Sequence, residues 1–535
     1  DSADYFLGGR DATWLAICAS IFASNIGSEH LIGLAGAGAS SGMAMAHWEI
    51  QGWMILILGW VFVPFYSRSM VFTMPEFLER RYNPQSRTIL SVISLISYVL
   101  TKVAVTVYAG GLVFQQVFGI KELWGIDFFW IAAIGLVVLT ALYTIFGGMK
   151  SVLYTSVLQT PILLLGSLII LVLGFKELGG WDEMMRVCGA VTVNDYGDTM
   201  TNLIRSNDDA NFPWLGALIG SAIIGFWYWC TDQFIVQRVL SGKNEMEARR
   251  GTIFGAYLKL LPVFLFLIPG MIAFALHQKY IGAGGEGFLP MLANGTANAD
   301  AAFPTLVAKL LPAGVKGLVV CGILAALMSS LASLFNSSAM LFTIDFYKRF
   351  KPETPEKKLV GIGQIATIVI VVLGILWIPI MRSVGDVLYT YLQDVQSVLA
   401  PGIAAAFLLG ICWKRTSAQG GMWGLISGMV IGLTRLGAKV YYSNAGEVAD
   451  STFKYLFYDM NWLFFCGWMF LFCIIVVIVV SLATEAPTAE KIQGLVFGTA
   501  TKEQKAATRA SWNHWDIIHT VIILAITAAF YWYFW

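Results

Sequence analysis

Residues 23–38 read ASNIGSEHLIGLAGAG and lie inside an apolar run that extends over residues 10–39. Gly, Ser and Asn in the middle of a membrane-length run favour a broken helix, and the carbonyls at such a break can coordinate a cation. Tight contacts between helices would also explain the glycines. They would not explain Glu29 and His30, because ionisable side chains at membrane depth are costly and usually functional. We therefore expect a broken transmembrane helix at a functional site.

The composition of the whole chain is that of a membrane protein. Hydrophobic residues make up 57% of the 535 residues and charged residues 13%, whereas soluble domains are about 25% charged. The mean hydropathy is +0.71. We predict an all-α polytopic protein of the plasma or inner membrane, with the lipid bilayer as its environment. A net charge of +1 gives no sign of a nucleic-acid partner.

Apolar segments long enough to cross a bilayer recur along the chain. We predict thirteen of them, at residues 10–39, 46–66, 88–118, 125–147, 152–176, 213–241, 251–277, 304–346, 359–381, 386–413, 418–436, 461–483 and 514–535.

Lys and Arg set the orientation of these spans. They are concentrated in alternate connections, of which 67–87 and 347–358 are examples, and the positive-inside rule places these connections in the cytoplasm. The first five spans, about 10–176, and the next five, about 213–413, then begin on opposite sides of the membrane. This is the topology that an inverted-repeat transporter requires.

The predicted organisation follows from these repeats. It is a transporter body at residues 1–485 that includes extra spans at 418–483, a cytoplasmic linker at 486–513 and a final transmembrane helix at 514–535. The polar linker could have a regulatory role or simply join two spans.

Several polar side chains fall inside other predicted spans, where each needs a partner in a polar cavity. They are Glu49, Asp232, Gln233, Lys259, Gln393 and Asp394. Glu49 and Lys259 are one possible pair. Aromatic rings beside Glu, Lys, Gln, Asn and His suit a sugar, which has apolar faces and many hydroxyls.

The eighth predicted span carries adjacent hydroxyls at Ser329 and Ser330, with Ser333 one turn away. Hydroxyl and carbonyl oxygens suit a hard cation such as Na⁺. Serines in helices also commonly bond to their own backbone. Combined with the broken first span, the serines favour an ion site.

Four motifs are the most distinctive features of the sequence. They are Ala23–His30, GGMKSVLYT at 147–155, WCTDQ at 229–233 and SSLASLFNS at 329–337. In these motifs, and nearly end to end, the chain resembles the sodium/solute symporters, and within them the sodium/glucose and sodium/galactose cotransporters. The resemblance implies a secondary active symporter that moves a monosaccharide with Na⁺ by alternating access, and not an enzyme.

The resemblance also implies a fold, a five-plus-five inverted-repeat (LeuT-like) core with extra helices. Members of the sugar branch usually have one more helix before Tyr5. About thirteen spans here would then become fourteen in the full chain.

The resemblance further assigns residues to the sodium site, the sugar site and the gates. The sodium site falls on the carbonyls of Ala23, Ile26 and Ala326 and the hydroxyls of Ser329 and Ser330. The sugar contacts fall on Asn25, Glu29, His30, Glu49, Trp229, Lys259 and Gln393. The inner gate falls on Tyr228, and the outer gate falls on Leu34, Trp48 and Tyr389.

Two positions depart from the family pattern. Gly225 replaces the Asn of the galactose carrier, which leaves one sugar hydrogen bond without a donor or acceptor. Ser156 stands where members with a second sodium site carry Asp. A neutral hydroxyl binds Na⁺ more weakly than a carboxylate, so we predict one Na⁺ per sugar.

Other functions are consistent with the same sequence. A symporter of sialic acid, an amino acid or a vitamin would use a free cation, Lys259 or Lys102, to bind a carboxylate. A channel, or a sensor that binds sugar without pumping it, is a further alternative.

Overall fold

The computed structural model describes residues 2–27, 29–292, 294–384, 388–446 and 448–535, and most of them are helical. Ser28 of the first motif and residues 386–387 of the predicted tenth span lie outside the described residues. The first part of the chain forms α1 (Ser2–Leu7), α2 (Trp14–Asn25), α3 (Ala35–Ser40), α4 (Ala46–Glu49), α5 (Gly52–Ile57), α6 (Val63–Ser69), α7 (Met74–Arg81), α8 (Pro84–Ser97), α9 (Ala104–Phe118), α10 (Phe128–Leu178) and α11 (Trp181–Gly189).

The second part forms α12 (Trp214–Gly225), α13 (Gln233–Leu240), α14 (Glu245–Lys259), α15 (Ile268–Gly282), α16 (Ala302–Leu310), α17 (Ala313–Met340), α18 (Lys348–Phe350), α19 (Glu356–Val384), α20 (Leu388–Cys412), α21 (Ala418–Asn444), α22 (Thr452–Lys454), α23 (Trp462–Ala483), α24 (Ala489–Ile492), α25 (Lys502–Ala510) and α26 (His514–Tyr533). Two short strands, β1 (Glu122–Leu123) and β2 (Ile126–Asp127), pair as an antiparallel hairpin.

Short segments of other helical types continue or join these helices. The π-helical turns are Glu29–Leu34, Leu58–Phe62, Tyr98–Val103, Phe226–Thr231, Val263–Leu267, Leu341–Tyr347 and Tyr455–Asp459, and the 3₁₀ turns are Gly8–Arg10, Gly42–Met45 and Ala299–Ala301. A π-helical turn marks a place where the regular backbone pattern is interrupted, and such places are frequently functional.

The first predicted span is broken, as its sequence indicates. The helix α2 ends at Asn25, Ile26 is extended (φ −79°, ψ 102°), and the chain becomes helical again at Glu29. The two halves of the span are inclined to each other by 56°. The backbone groups at this break lie inside the protein, which is the only place at membrane depth where irregular backbone is tolerated.

The fourth and fifth predicted spans form one long helical element, α10, of 51 residues. A straight helix of that length would extend roughly 75 Å, far beyond the roughly 30 Å hydrocarbon layer. The element bends at Gly148, whose backbone (φ 57°, ψ −153°) is non-helical. Glycine adopts such a conformation without the steric penalty of a side chain. The length and the bend of α10 therefore fit two crossings.

The described residues contain ten helices that are long and apolar enough to cross a membrane, and the bent pair α2 and α3 would add one more. The helix α21, which corresponds to the predicted span 418–436, is not among them. The prediction of an all-α polytopic protein is confirmed, and the number of thirteen spans stays a prediction.

The predicted linker 486–513 is packed against the rest of the chain. Lys491 donates a hydrogen bond to the Glu79 carbonyl at 2.9 Å. The ring centroids of Phe65 and Phe497 lie 5.2 Å apart. Contacts with α6 and α7 thus hold this segment in place.

Glycines let the outer half of the first span approach α15 closely. A Cβ atom on Gly38 would lie 2.2 Å from the Leu267 carbonyl oxygen, and one on Gly270 would lie 2.0 Å from the Ala35 carbonyl oxygen. The backbones of the two segments are therefore in direct contact at both glycines. Small residues commonly allow such close approach between membrane helices. These glycines are explained by packing.

We expect Gly270→Ala to destabilise the protein by about 1–3 kcal/mol, because the added methyl group must push two backbones apart. The measurement is the thermal unfolding midpoint of the purified protein in detergent. Gly135→Ala is the matched control, since a Cβ atom there would meet nothing within 4 Å. An equal midpoint for both variants would show that the close contact between α3 and α15 contributes nothing to stability.

Candidate functional site

A small cavity of about 40 Å³ lies where the first, second, sixth, seventh and tenth predicted spans meet. Small-molecule sites usually measure roughly 300–1,000 Å³, so a bound solute would require the lining side chains to move apart. The lining residues are Asn25, Glu29, His30, Trp48, Glu49, Gln51, Ile224, Gly225, Tyr228, Trp229, Lys259, Tyr389, Gln393 and Gln396. All seven residues that were predicted to contact sugar line this one cavity.

Interruptions in the helices turn these side chains toward the cavity. Asn25 is the last residue of α2, and His30 lies in the π-helical turn just beyond the break. Tyr228 and Trp229 lie in the π-helical turn Phe226–Thr231, which ends in extended backbone at Asp232 (φ −78°, ψ 130°). The first and sixth spans are thus both interrupted beside the cavity, as expected of equivalent helices in two inverted repeats.

A buried ion pair crosses the cavity between the second and seventh spans. The Lys259 Nζ and Glu49 Oε2 atoms are 2.6 Å apart, and His30 Nε2 lies 3.0 Å from the same carboxylate oxygen. Lys259 also donates to Asn25 Oδ1 at 3.2 Å, and Asn25 Nδ2 donates to the Tyr228 hydroxyl at 3.2 Å. The pair that the sequence suggested is present, and its charges offset each other, as buried charges require.

The third-span cation, Lys102, is also paired. Its Nζ atom lies 2.7 Å from Asp232 Oδ2, and the Tyr98 hydroxyl donates to the same carboxylate. The ammonium group lies against four aromatic rings, those of Tyr98, Trp227, Tyr228 and Phe234. Lys102 is therefore held by its own partners and contacts the ring of the predicted inner gate, 4.6 Å from its centroid.

Three cavity residues carry buried polar atoms that have no hydrogen-bond partner within the described part of the chain. These atoms are His30 Nδ1, Trp48 Nε1 and Gln393 Oε1. Leaving a buried donor or acceptor unpaired costs about 1–3 kcal/mol. A ligand with several hydroxyl groups, each both donor and acceptor, would supply the missing partners.

Aromatic side chains enclose the cavity. The Tyr389 ring rests on Gly33 of the first span, where a Cβ atom would lie 2.6 Å from Tyr389 Cδ2. The ring of Trp48 stacks on that of Trp462 with centroids 5.5 Å apart. Tyr389 and Trp48 are both buried, at 3% and 5% exposure. Leu34, the remaining predicted outer-gate residue, is fully buried but does not line the cavity.

The residues predicted to bind Na⁺ lie where α17 packs on the broken first span. A Cβ atom on Gly27 would lie 2.9 Å from Ser330 Oγ, so this hydroxyl reaches the break itself. Ser329 is buried beside Ser156, with the two Oγ atoms 3.4 Å apart. Because α2 ends at Asn25, the carbonyls of its last turn, such as that of Ala23, have no helical partner further along. Hydroxyl and carbonyl oxygens are thus concentrated at this junction.

The remaining predicted sodium ligands are backbone carbonyls of apolar residues at the same junction. Ile26 is at the break, and Ala326 precedes Ser330 by one turn of α17. Both residues are buried. Their side chains are apolar, so any role in binding a cation belongs to their carbonyl groups.

Sequence reasoning missed three residues of the cavity wall, Gln51, Ile224 and Gln396. Gln396 follows Gln393 by three residues on α20, so helical spacing alone places both on one face. Gln51 follows Glu49 by two residues, a spacing that in a regular helix would direct it away from the cavity. Ile224 is an apolar residue in an apolar run, and nothing in the sequence distinguishes it.

Comparison with known proteins relates this arrangement to a family. Residues 5–428 match the model of the sodium:solute symporter family. The sodium/myo-inositol cotransporter 2 of Homo sapiens is 37% identical over 508 residues, covering 92% of this chain and 74% of that protein. The sodium/glucose cotransporter 1 of Ovis aries is 38% identical over 499 residues, covering 90% and 74%.

Solved structures share the fold. A Na⁺-coupled sialic acid symporter in a substrate-bound, outward-open state superimposes with a TM-score of 0.71 and 22% identity, over 91% of this chain and 93% of that one. Mhp1, a nucleobase-cation-symport-1 family transporter in a closed conformation, gives 0.50 and 14%, over 92% and 98%. These neighbours confirm the predicted LeuT-like fold. The chain belongs to the sodium:solute symporter family and is a multi-pass membrane protein that couples solute transport to Na⁺.

Proposed function

We propose that this symporter carries a neutral polyhydroxyl solute, a monosaccharide such as glucose or galactose or a cyclic polyol of similar size, with one Na⁺ per molecule. The observation that carries the proposal is a set of polar atoms on His30, Trp48 and Gln393 that have no hydrogen-bond partner among the described residues and that surround a small buried cavity. Aromatic rings beside them suit the apolar faces of such a ring compound.

The charges around the cavity favour a neutral solute over a carboxylate. Lys259 is held by Glu49 at 2.6 Å and Lys102 by Asp232 at 2.7 Å. Each cation is already neutralised by its own carboxylate, so a second carboxylate would be buried beside a like charge with no free counter-charge. Sialic acid and amino acids are therefore disfavoured.

The names of relatives agree with a neutral polyol. Sodium/myo-inositol and sodium/glucose cotransporters are both among the similar proteins at 37–38% identity. Both solutes are neutral six-membered rings with several hydroxyls. The uptake experiment described below distinguishes glucose from myo-inositol as the transported solute.

Sodium would couple to the solute through the broken first span. In the proposed site, the carbonyls of Ala23 and Ile26 and the hydroxyls of Ser329 and Ser330 hold Na⁺ and tie α2 to α17. Asn25, between those two carbonyl positions, faces the solute cavity instead. An ion that fixes the backbone at the break therefore also fixes Asn25. Such shared preference for one conformation is what coupling requires.

Ser156 supports the proposed stoichiometry of one. Its hydroxyl donates to the Val152 carbonyl at 2.6 Å, so it is engaged in its own helix. A carboxylate at this position would offer a second Na⁺ a charged ligand, whereas this hydroxyl offers none.

Transport is proposed to proceed by alternating access. Tyr389 and Trp48 open toward the outside to admit Na⁺ and solute, and they close again over the loaded cavity. Tyr228 then moves away from Asn25 to release the solute inward. One charge crossing about 100 mV releases about 2.3 kcal/mol, and a tenfold Na⁺ gradient adds about 1.4 kcal/mol. Together they support roughly 500-fold accumulation.

The test is uptake into liposomes that contain the purified protein. Labelled glucose, galactose, myo-inositol and the anionic N-acetylneuraminate are compared under an inward Na⁺ gradient and with K⁺ in its place. We expect at least one neutral solute to accumulate above its external level, with Na⁺ only. Accumulation of N-acetylneuraminate alone would contradict the proposal, as would equilibration of a neutral sugar without accumulation.

Two substitutions should separate the ion site from the solute site. We expect Ser330→Ala to raise the Na⁺ concentration for half-maximal uptake roughly tenfold, equivalent to about 1.4 kcal/mol, with little change in solute KM at saturating Na⁺. Gln393→Ala should raise the solute KM about fivefold, since one hydrogen bond is lost.

Ser443→Ala is the control for these variants, because Ser443 is exposed on α21 and should change neither parameter. If Ser330→Ala and Gln393→Ala lower only the amount of folded protein and leave both constants unchanged, the two assignments are wrong.

The stoichiometry can be measured from the dependence of accumulation on membrane potential. With one Na⁺ per neutral solute, each change of about 60 mV should change the steady-state accumulation ratio tenfold. The potential is set with K⁺ and valinomycin at equal Na⁺ on both sides. A hundredfold change over the same interval would mean two Na⁺ ions and would contradict the role given to Ser156.

A further inference from the structure

Gln51 lines the cavity from an unexpected position in the chain. It lies between α4 and α5, where the backbone is not helical, with φ −83° and ψ 35° at Ile50 and φ −93° and ψ 26° at Gln51. In a continuous helix, residues two apart point in nearly opposite directions. The irregular turn brings both Glu49 and Gln51 to the same cavity.

The Gln51 amide occupies the space that a side chain at position 225 would need. A Cβ atom on Gly225 would lie 2.6 Å from Gln51 Oε1, 2.9 Å from its Cδ and 3.0 Å from its Nε2. All three distances are far below a normal contact. Gly225 therefore makes room for an amide from the second span.

A hydrogen bond orients this amide. Gln51 Nε2 donates to the Ser221 carbonyl at 2.7 Å, and Ser221 lies one turn before Gly225 on α12. Because the Nε2 atom is bound to the sixth span, the Oε1 atom is the part of the amide that can accept a hydrogen bond at the cavity wall. The side chain is 3% exposed, so bulk water does not readily supply the donor.

We propose that Gln51 is a solute-specificity residue, whose Oε1 atom accepts a hydrogen bond from one hydroxyl of the transported polyol. This inference rests on the proposed function of the cavity. The contact replaces the one that a polar side chain at position 225 would make. It comes from the second span, and the amide occupies the place of that side chain.

The Gln51 contact makes a specific demand on the solute. The hydroxyl must donate, so a solute that lacks it, or carries a fluorine in its place, leaves Oε1 unpaired in a buried site. Sites built around such a hydrogen bond reject the analogue that lacks it. The effect should be confined to one position of the ring.

The test uses the wild type and Gln51→Leu, which keeps the size of the side chain but cannot accept a hydrogen bond. Uptake of labelled glucose, or of myo-inositol if only that accumulates, is competed with analogues that each lack one hydroxyl. We expect the wild type to disfavour one analogue about five- to tenfold. Gln51→Leu should lose that preference alone and keep its discrimination against the others.

Two further variants complete the design. Gly225→Ala should displace the amide, reduce discrimination at the same hydroxyl, and have no additional effect in the Gln51→Leu background, since interacting sites are non-additive. Gln364→Leu is the matched control. It removes an amide that donates to the Ile145 carbonyl at 2.9 Å, away from the cavity, and should keep the wild-type ranking.

Outcomes for this inference and for the proposed function are distinguishable. If the wild type accumulates no neutral polyol, the proposed function itself is wrong. If the wild type accumulates one and Gln51→Leu keeps the complete ranking of analogues, or weakens all of them equally, the role of Gln51 is wrong. Should Gln51→Leu not fold, an unchanged ranking in Gly225→Ala leads to the same conclusion.

Discussion

The structure is governed by one constraint, that no polar backbone or charged group can remain unpaired at membrane depth. The first span stops being helical after Asn25, where Ile26 is extended, and side chains from the surrounding helices reach this break. Ser330 reaches the break from α17, and Lys259 reaches Asn25 from α14. The ion pair of Glu49 and Lys259 satisfies the same constraint for charge. The helices then enclose a cavity in which Glu49 and Lys259 neutralise each other and in which atoms of His30, Trp48 and Gln393 have no hydrogen-bond partner within the described part of the chain.

The break also explains how one event can influence two ligands. Its carbonyls are the proposed ion ligands, whereas the Asn25 side chain lines the cavity and hydrogen-bonds to the Tyr228 hydroxyl at 3.2 Å. Tyr228 in turn lies over Lys102. The break, the solute cavity and the inner gate are therefore connected by direct contacts among the side chains of Asn25, Tyr228 and Lys102. Coupling between them requires no longer pathway. A ligand that favours one arrangement of this group favours it for all three.

Much of this could be predicted from the sequence, for identifiable reasons. Length and hydropathy indicate membrane helices, and Gly, Ser and Asn beside Glu29 indicate the break. Glu49 and Lys259 were expected to pair because both lie in apolar runs. The partner of Lys102 could not be chosen, since Asp232 lies 130 residues away in the chain. Gln51 was missed because its orientation depends on a non-helical turn.

The most direct test of the central claim, that Na⁺ and a neutral polyol stabilise the same arrangement of the broken span, is a pair of equilibrium binding measurements in detergent. The Kd of the transported solute is measured with saturating Na⁺ and with K⁺, and the Kd of Na⁺ is measured with and without solute. Linkage requires both ratios to be equal, and we expect each ligand to tighten the other about five- to a hundredfold. A solute Kd that is the same in Na⁺ and K⁺ would contradict the account.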